Sequence, residues 1–395
     1  MRPKLGYLVT HPIQYQAPLL RKLASSGEVD LTVLFLSDMS TKPYFDRGFG
    51  ASVDWQTDLL SGYNSVILQP DTPRLTFWSP SPPAIGRVLR EHAFDCLWVH
   101  GYAQVGLLRG IAAAKMSGLK ILFRGEGHRY LQSRSALRRN TKAAVLRVLA
   151  SHVDAFLAIG SLNRDYYASL GVESSRIFDV PYAVDNEFFR GAAVRASVDR
   201  GSLRRDLAMT DDRPVILFAS KLQARKRPLD LLEAYIKLSS DGKSEPPAYL
   251  VFIGDGEQRS LLEQRAKETG WNSIKMLGFK GQAELPRYYD LCDVFVLPSE
   301  REPWGLVINE VMNAGKAIVC TTQVGSGYDL VEHGRNGYVY EPGNVGELAG
   351  FLSMTIESPA ACAEMGRRSL DRISRWSYNE DVRGIVAAVH AVVDQ

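Results

Sequence analysis

Eleven short apolar runs alternate with helix-like stretches along the 395-residue chain, and this rhythm limits the fold more than any other feature. In the first half the runs are LGYLV (5–9), LTVLFL (31–36), SVILQ (65–69), DCLWV (95–99), KILF (120–123) and DAFLAI (154–159). Each is rich in Val, Ile, Leu and Phe, as expected of strands buried on both faces. Helical stretches are predicted between them, for example over 15–26, 103–117 and 135–151. A second series follows: VILFAS (215–220), YLVFIG (249–254), SIKMLG (273–278), DVFVLP (293–298) and KAIVC (316–320). Strands alternating with helices imply βαβ units and parallel sheets. The fold class expected is α/β, with two Rossmann-like, doubly wound domains facing a central cleft. Residues 1–185 make the first domain, 186–212 a linker with at most one short helix, and 213–375 the second domain. Residues 376–395 are expected to form a terminal helix, over 378–393, that packs back towards the first domain. Ligands of such sheets bind beyond the carboxyl ends of the strands.

Composition excludes several other classes. Apolar residues make up 45% and charged residues 23%, ordinary for a globular chain. No segment offers the ~18 uninterrupted apolar residues of a membrane span. The best candidate, Ala143–Ile159, is broken by Arg147, His152 and Asp154. In MRPKLGYLVTHPIQ the apolar run is too short for an export core, so a cytoplasmic location is expected. The cysteines (Cys96, Cys292, Cys320, Cys362) are widely spaced, without a CxxC, and suggest neither a disulfide framework nor a zinc site. The net charge of +3 hides an asymmetry: residues 1–185 hold 21 Lys+Arg against 15 Asp+Glu, and the remainder 26 against 29.

Three segments carry chemistry. In SEREPWGLVINE (299–310), Glu302 and Glu310 flank a loop that turns into a helix at Pro303 and Gly305. Eight steps at helical rise span about 12 Å. A glycosidase's two carboxylates lie roughly 5–9.5 Å apart across one bond. The glutamates therefore read as clamps at two ends of an elongated ligand, and the N–H groups of Trp304, Gly305 and Leu306 would meet an anion at the helix start. Taken alone, a surface glutamate and a helix-face glutamate explain the spacing equally well. In FASKLQARKRP (218–228), Lys221, Arg225, Lys226 and Arg227 sit in a strand-to-helix loop at the sheet's carboxyl edge. Such a loop either neutralises a diphosphate or is a solvated basic turn. In IGDGE (253–257), Gly254 and Gly256 begin a dinucleotide fingerprint, but Arg259 replaces its third glycine. A tight turn is the preferred reading, with Gly254 expected to line the ligand pocket.

Together these segments resemble the retaining glycosyltransferases of family 4, which have the GT-B fold. The chain carries that family's E-x7-E pattern in Glu302 and Glu310, and its cationic loop through Lys221 and Lys226. Lys221 stands where the family usually has arginine. IGDG (253–256), LGF (277–279), GSGYDLVEHGRNGYVYEPGN (325–344) and WSY (376–378) follow in family order, and PYAVD (181–185) resembles the segment before the domain linker. The first half looks like a subgroup that begins with THPIQY (10–15) and carries FRGEGH (123–128). The resemblance implies a nucleotide-diphosphate sugar as co-substrate, with no metal or other cofactor. It implies that Lys221 and Lys226 hold the donor diphosphate, helped by backbone N–H groups at 304–306. Glu302 would contact the transferred sugar, Glu310 the ribose, and main chain near Phe279 and Lys280 the base. It also implies retention of anomeric configuration, with the leaving phosphate oxygen accepting the acceptor's proton.

The acceptor side is read from the first half. Arg124 and Glu126 are expected to face the cleft, and His128 less so. His11, Gln14 and His100 are candidates to meet the acceptor; a backbone-bonded helix-start residue is an equal reading for His11. Pro12 removes an amide where many family members place a Gly-Gly pair. The expected product is a glycan or glycolipid, as in cell-surface polysaccharide synthesis, and no nucleic-acid partner is expected. Alternatives are a catalytically silent GT-B sugar-nucleotide-binding protein and a sugar-nucleotide epimerase. Peripheral contact with an anionic membrane, on its inner face, is expected through Arg129, Arg134, Arg138, Arg139, Lys142 and Arg147. No acidic residue lies between Glu126 and Asp154, and Leu137, Ala144, Val145 and Leu149 form an apolar strip on the predicted helix. The competing reading has that strip covering the sheet while the arginines are solvated.

Overall fold

A computed structural model describes residues 2–46, 48, 50–53, 58–72, 74–131, 135–239 and 244–394. The chain divides into two compact units: Met1–Tyr44, Asp54–Ala183 and Ser377–Gln395 form the first, and Phe45–Val53 with Val184–Trp376 the second.

The strands of the first 185 residues are β1 (Lys4–Val9), β2 (Asp30–Phe35), β3 (Tyr44–Asp46), β4 (Ala51–Val53), β5 (Asn64–Ile67), β6 (Cys96–His100), β7 (Lys120–Arg124), β8 (Ala155–Ala158) and β9 (Ile177–Asp179). Seven of them form one parallel sheet, ordered β5-β2-β1-β6-β7-β8-β9. Chain order reverses at β1, whose Leu5 lies opposite both Leu31 and Cys96. This is the switch point where such sheets open a ligand crevice at their carboxyl edge. Helices cover the sheet closely: a Cβ on Gly110 of helix Val105–Met116 would lie 2.2 Å from Leu8. The last helix, Tyr378–Val393, completes the unit. Ser377 and Glu380 cap its start reciprocally, and Ile385, Ala388, Val389 and Val392 are buried. Gly384 lets it lie flat, since a Cβ there would sit 2.0 Å from the Asp179 carbonyl oxygen.

The second unit repeats the plan with β10 (Val215–Ala219), β11 (Tyr249–Ile253), β12 (Ile274–Met276), β13 (Val294–Leu297), β14 (Ala317–Thr321) and β15 (Gly337–Tyr340). Its parallel sheet runs β12-β11-β10-β13-β14-β15, so its switch point is β10. Two boundaries differ from the sequence reading. Residues 186–212 hold two helices, Asn186–Ser197 and Arg200–Asp206, and belong to the second unit. Asp185 caps the first by accepting from the Phe188 N–H at 2.9 Å, and Arg200 of the second pairs with Asp290. A helix that stops at Ser197 and a second that starts at Arg200 leave no single period to read. The other difference is the β3–β4 ribbon, which comes from the first half of the sequence but clusters with the second unit.

Candidate active site

In the second unit, the loops after β10 and β11 press together. Gly254 (φ +132°) and Gly256 (φ +150°) make this approach, because Cβ atoms there would lie 2.0 and 2.7 Å from the carbonyl oxygens of Ser220 and Leu222. Gly254 thus faces the main chain next to Lys221, and its role is to seat that loop. Its N–H donates to the Gly278 carbonyl at 2.8 Å, fixing the turn that leads to Phe279 and Lys280. Lys280 reaches Glu284 at 3.8 Å. The β10 loop ends in a turn at Ala224–Lys226. Arg227 adopts φ +51°, and Pro228 then starts helix Pro228–Ile236.

Each cation of that loop has a carboxylate or carbonyl partner. Lys226 is buried against Glu302. Burial holds its ammonium below the ordinary lysine value, outweighing the upward pull of the Glu302 carboxylate. Lys221 donates to both carboxylate oxygens of Asp46 at 2.9 Å. Arg225 donates to the Arg301 carbonyl at 3.1 Å and lies 4.0 Å from Glu302. Arg227 pairs with Asp230 and with Glu300, at 2.6 and 3.2 Å, and so braces the loop.

Glu302 is held by its main chain: its N–H reaches the Gln323 carbonyl, and its carbonyl accepts from Gly325 N–H at 3.1 Å. A Cβ on Gly325 would meet the Pro303 oxygen at 2.2 Å, which explains the glycine that opens the GSG segment. Gly305 (φ +92°) turns the chain into helix Leu306–Met312, and its carbonyl accepts from the Ile308 N–H at 2.9 Å. Trp304 is buried, donates its indole N–H to Asn309 at 2.9 Å, and stacks on Trp376 at 5.5 Å. On that helix, the Glu310 carboxyl accepts from the Tyr289 hydroxyl at 2.5 Å. Burial raises Glu310 to about 7, although the Tyr289 hydroxyl acts in the opposite direction. The second unit therefore gathers Lys221, Lys226, Glu302 and the start of the Leu306 helix at its sheet's carboxyl edge, and Glu310 follows within that helix. Asp46 and Tyr289, which carry no spacing signal, emerge only from the structure.

The first unit has a polar chain at its own carboxyl edge. The Tyr182 hydroxyl donates to Glu126 at 2.6 Å and lies 3.1 Å from His100 Nε2. His100 Nδ1 lies 3.0 Å from the Tyr7 hydroxyl and 3.3 Å from the Gln16 amide nitrogen, and Tyr7 donates to the Gln16 oxygen at 2.7 Å. With the Tyr182 proton on Glu126, His100 donates from Nε2 to the Tyr182 oxygen and accepts from Gln16 at Nδ1; the Tyr7 hydroxyl, which donates to Gln16, gives Nδ1 no proton. Burial keeps His100 below the ordinary histidine value, in line with the neutral ring. Burial pushes Glu126 up, but His100 at 4.0 Å, the Tyr182 hydrogen bond and nearby Arg124 pull it further down. The Glu126 side chain is 40% exposed, so this chain ends in an accessible carboxylate. His11, half-buried, contacts the Thr10 hydroxyl at 2.8 Å and is lowered to about 4 by burial and by His100. Gln14 lies half-buried in the loop ahead of helix Ala17–Ser26.

Arg124 departs from expectation. It is 0% exposed and cannot touch an acceptor. Its guanidinium donates to the Val180 carbonyl at 2.9 Å, reaches Asp381 at 3.5 Å, and lies 4.5 Å from the Tyr182 ring centroid. The inward-facing register of β7, packed on both sides, places it in the interior. His128 is likewise buried.

On helix Ala136–Ala150, Leu146 and Ala150 are buried, and Leu149 packs with Leu146 against Tyr166 and Leu170. Leu137 (78% exposed), Val145 (61%) and Val148 (64%) point outward with Ala144. The exposed strip therefore includes Val148 and not Leu149. Arg139, Lys142 and Arg147 are exposed on the same helix. Arg134 and the side chain of Arg138 lie outside the described residues.

The two parallel sheets, each reversing chain order at its first strand, give the chain the GT-B fold. The chain matches the family "Glycosyl transferases group 1" over residues 199–372. It is 25% identical, over 75% of its length and 76% of the relative's, to the GDP-mannose-dependent monoacylated alpha-(1-6)-phosphatidylinositol monomannoside mannosyltransferase of Corynebacterium glutamicum. It is also 25% identical to the Mycobacterium tuberculosis GDP-mannose-dependent alpha-(1-6)-phosphatidylinositol monomannoside mannosyltransferase, over 80% of this chain and 81% of that one. Among solved structures, Anabaena HepE in complex with UDP superposes with a TM-score of 0.73 at 20% identity, covering 99% of this chain and 100% of that one. WaaG, a glycosyltransferase involved in lipopolysaccharide biosynthesis, gives 0.67 at 14% identity, over 98% and 99%.

Proposed function

We propose that the protein moves a hexose from a nucleotide-diphosphate sugar to a hydroxyl of a lipid-linked glycan, with retention of configuration and without a metal. The observation that carries this reading is the buried Lys226–Glu302 pair beside Lys221, at the carboxyl edge of the group 1 unit. A departing diphosphate needs cations fixed before it leaves, because preorganised charge is worth most in a site that excludes water. Lys226 and Lys221 supply that charge in place of a divalent ion. When the diphosphate takes over Lys226, Glu302 is released towards the sugar. Amides at 304–306 add donors to the phosphate, Glu310 takes the ribose, and main chain at Phe279 and Lys280 faces the base. The C1–phosphate bond breaks and the acceptor oxygen bonds C1 on the same face. The leaving phosphate oxygen receives the acceptor's proton, so no protein base is required. In the first unit Glu126, His100, His11 and Gln14 meet the acceptor.

The relatives' lipid substrates favour a membrane-borne acceptor, and helix Ala136–Ala150 suits such a surface. Its exposed strip would enter the headgroup layer while Arg139, Lys142 and Arg147 meet anionic lipid, each contributing about 1 kcal/mol. The test is transfer from UDP-glucose and GDP-mannose to vesicles bearing phosphatidylinositol mannosides, with and without EDTA, and with the product's anomeric configuration read by NMR. Retained configuration and EDTA-insensitive turnover are expected. An inverted product, or activity lost on chelation and restored by magnesium or manganese, would refute this mechanism. Equal, negligible sedimentation with neutral and anionic vesicles at low salt would remove the membrane reading.

A further inference from the structure

The last helix of the chain supports the first unit's polar chain at two points. Tyr378 donates its hydroxyl to the Tyr15 carbonyl at 2.8 Å, and the Tyr15 ring meets Tyr182 edge-on at 5.8 Å. One turn further on, Asp381 pairs with Arg124, the side chains being 2% and 1% exposed. The guanidinium lies against the Tyr182 ring and 5.7 Å from that of Trp98. Arg124 Nε and Asp381 Oδ1 are buried without a hydrogen-bond partner among the described residues, so the pair is under-satisfied for one whose sole task is stability. An arginine face fixes the plane of the ring it covers. The plane of Tyr182 in turn fixes its hydroxyl, which bonds Glu126 and meets His100.

We infer that Asp381 is a positioning residue: acting through Arg124, it sets Tyr182 and so aligns the His100–Tyr182–Glu126 chain that receives the acceptor. The receiving role rests on the function proposed above; the alignment does not. A mere truncation of Asp381 would leave a charge buried and threaten folding. The decisive variant is therefore Arg124→Met with Asp381→Leu, which removes both charges and keeps the volume filled. The readout is the imidazole nitrogen spectrum of His100 in 15N-labelled protein, assigned by its loss in His100→Gln. The parent chain should show one neutral tautomer, protonated on Nε2, throughout about pH 5.5–8. The double variant should show mixed tautomers, with burial still holding the ring below the ordinary histidine value. UDP and GDP affinities should stay within about twofold, since sites that share no partners behave independently. A folded double variant with the parent's His100 spectrum would overturn the inference. So would a spectrum that changes only together with a loss of UDP and GDP binding, which would mark general disruption. The acceptor reading is tested apart from this, on the parent sequence. If Glu126→Gln leaves transfer to phosphatidylinositol-mannoside vesicles unchanged, the acceptor role fails while the His100 result stands.

Discussion

Lys226–Glu302 in the second unit and Arg124–Asp381 in the first are both buried ion pairs at a sheet's carboxyl edge, but their surroundings differ. Around Lys226 the neighbours are polar: Arg225 stands 4.0 Å from Glu302, and a helix begins close by at Leu306. Another anion can replace Glu302 there without leaving any charge unpaired. Around Arg124 the neighbours are the rings of Trp98 and Tyr182 and a main-chain carbonyl. Nothing small and anionic can replace Asp381, which arrives from 257 residues away. A buried pair with a replaceable anion suits binding and catalysis, whereas a pair enclosed by aromatic rings suits alignment. Exposure alone would not separate them.

Removing one partner should give different losses in the two places. Arg124→Ala strands Asp381 in the interior and is expected to cost about 3–5 kcal/mol of stability. Burial already lifts Asp381 to about 6, against the pull of Arg124. A carboxyl raised in the folded state contributes stability at low pH and loses it as pH rises through that value. The loss in Arg124→Ala should therefore be smaller at pH 5 than at pH 8. Urea melts at both pH values check this, and an equal loss at both would show that Asp381 is not left charged. Lys226→Ala should instead keep the fold and lose turnover. One preorganised donor to developing charge is worth about 2.7–4 kcal/mol, a fall of roughly 10²–10³ in kcat. Near-parental turnover in the purified variant would dissolve the contrast.

The two pairs also differ in how legible they were. Most strand positions and the cationic loop follow from apolar runs and local spacing, which a linear sequence displays directly, whereas the strand order that puts the switch points at β1 and β10 does not. The family resemblance gave Lys226 to the diphosphate and Glu302 to the sugar, and their ion pair emerges only from the structure. Arg124 looked like a cleft residue because it ends a strand; an arginine whose counter-charge lies in the last helix gives no local sign of burial. Strands β9 and β15 were missed because IFD and GYVY are short and lack a continuous apolar run. Tyr182 and Asp381 share no spacing with the residues they serve, because contacts made across a sheet leave no periodicity.

A smaller effect is expected at Glu310. Ribose hydroxyls donate best to an ionised carboxylate, and burial lifts this one to about 7. UDP and GDP affinity should therefore rise by up to about tenfold from pH 6 to pH 8, following the ionised fraction. The ligand-free fold should respond in the opposite direction. A raised carboxyl contributes stability below the ordinary glutamate value and loses it as pH rises through about 7. Glu310→Gln should flatten both profiles and weaken donor binding more than it slows chemistry, because ribose contacts are equal in ground and transition states. An unchanged donor KM with a collapsed kcat would contradict that role.

The smallest expected effect lies at Asp46, and it sharpens the comparison most. Its pair with Lys221 is of a third kind, partly open to solvent, with side chains 17% and 28% exposed. The ribbon that carries Asp46 comes from the first half of the sequence yet clusters with the second unit, and it delivers a carboxylate to a lysine assigned to the donor diphosphate. A diphosphate entering that loop must compete with Asp46 for the ammonium. Partly exposed pairs contribute about 0.2–1 kcal/mol, so the competition is modest. Asp46→Asn keeps the shape of the ribbon and removes the competing charge. UDP and GDP should then bind about 1.5–5 times more tightly, the affinity equivalent of that energy. The gain should vanish in a Lys221→Met background, where no ammonium remains to contest, and shrink in high salt. Calorimetry on the four chains measures the coupling directly. Tighter binding that persists without Lys221 would trace the effect to long-range charge. Weaker binding in Asp46→Asn would make Asp46 a contact of the bound donor, and the Lys221 pair would then belong with the replaceable kind.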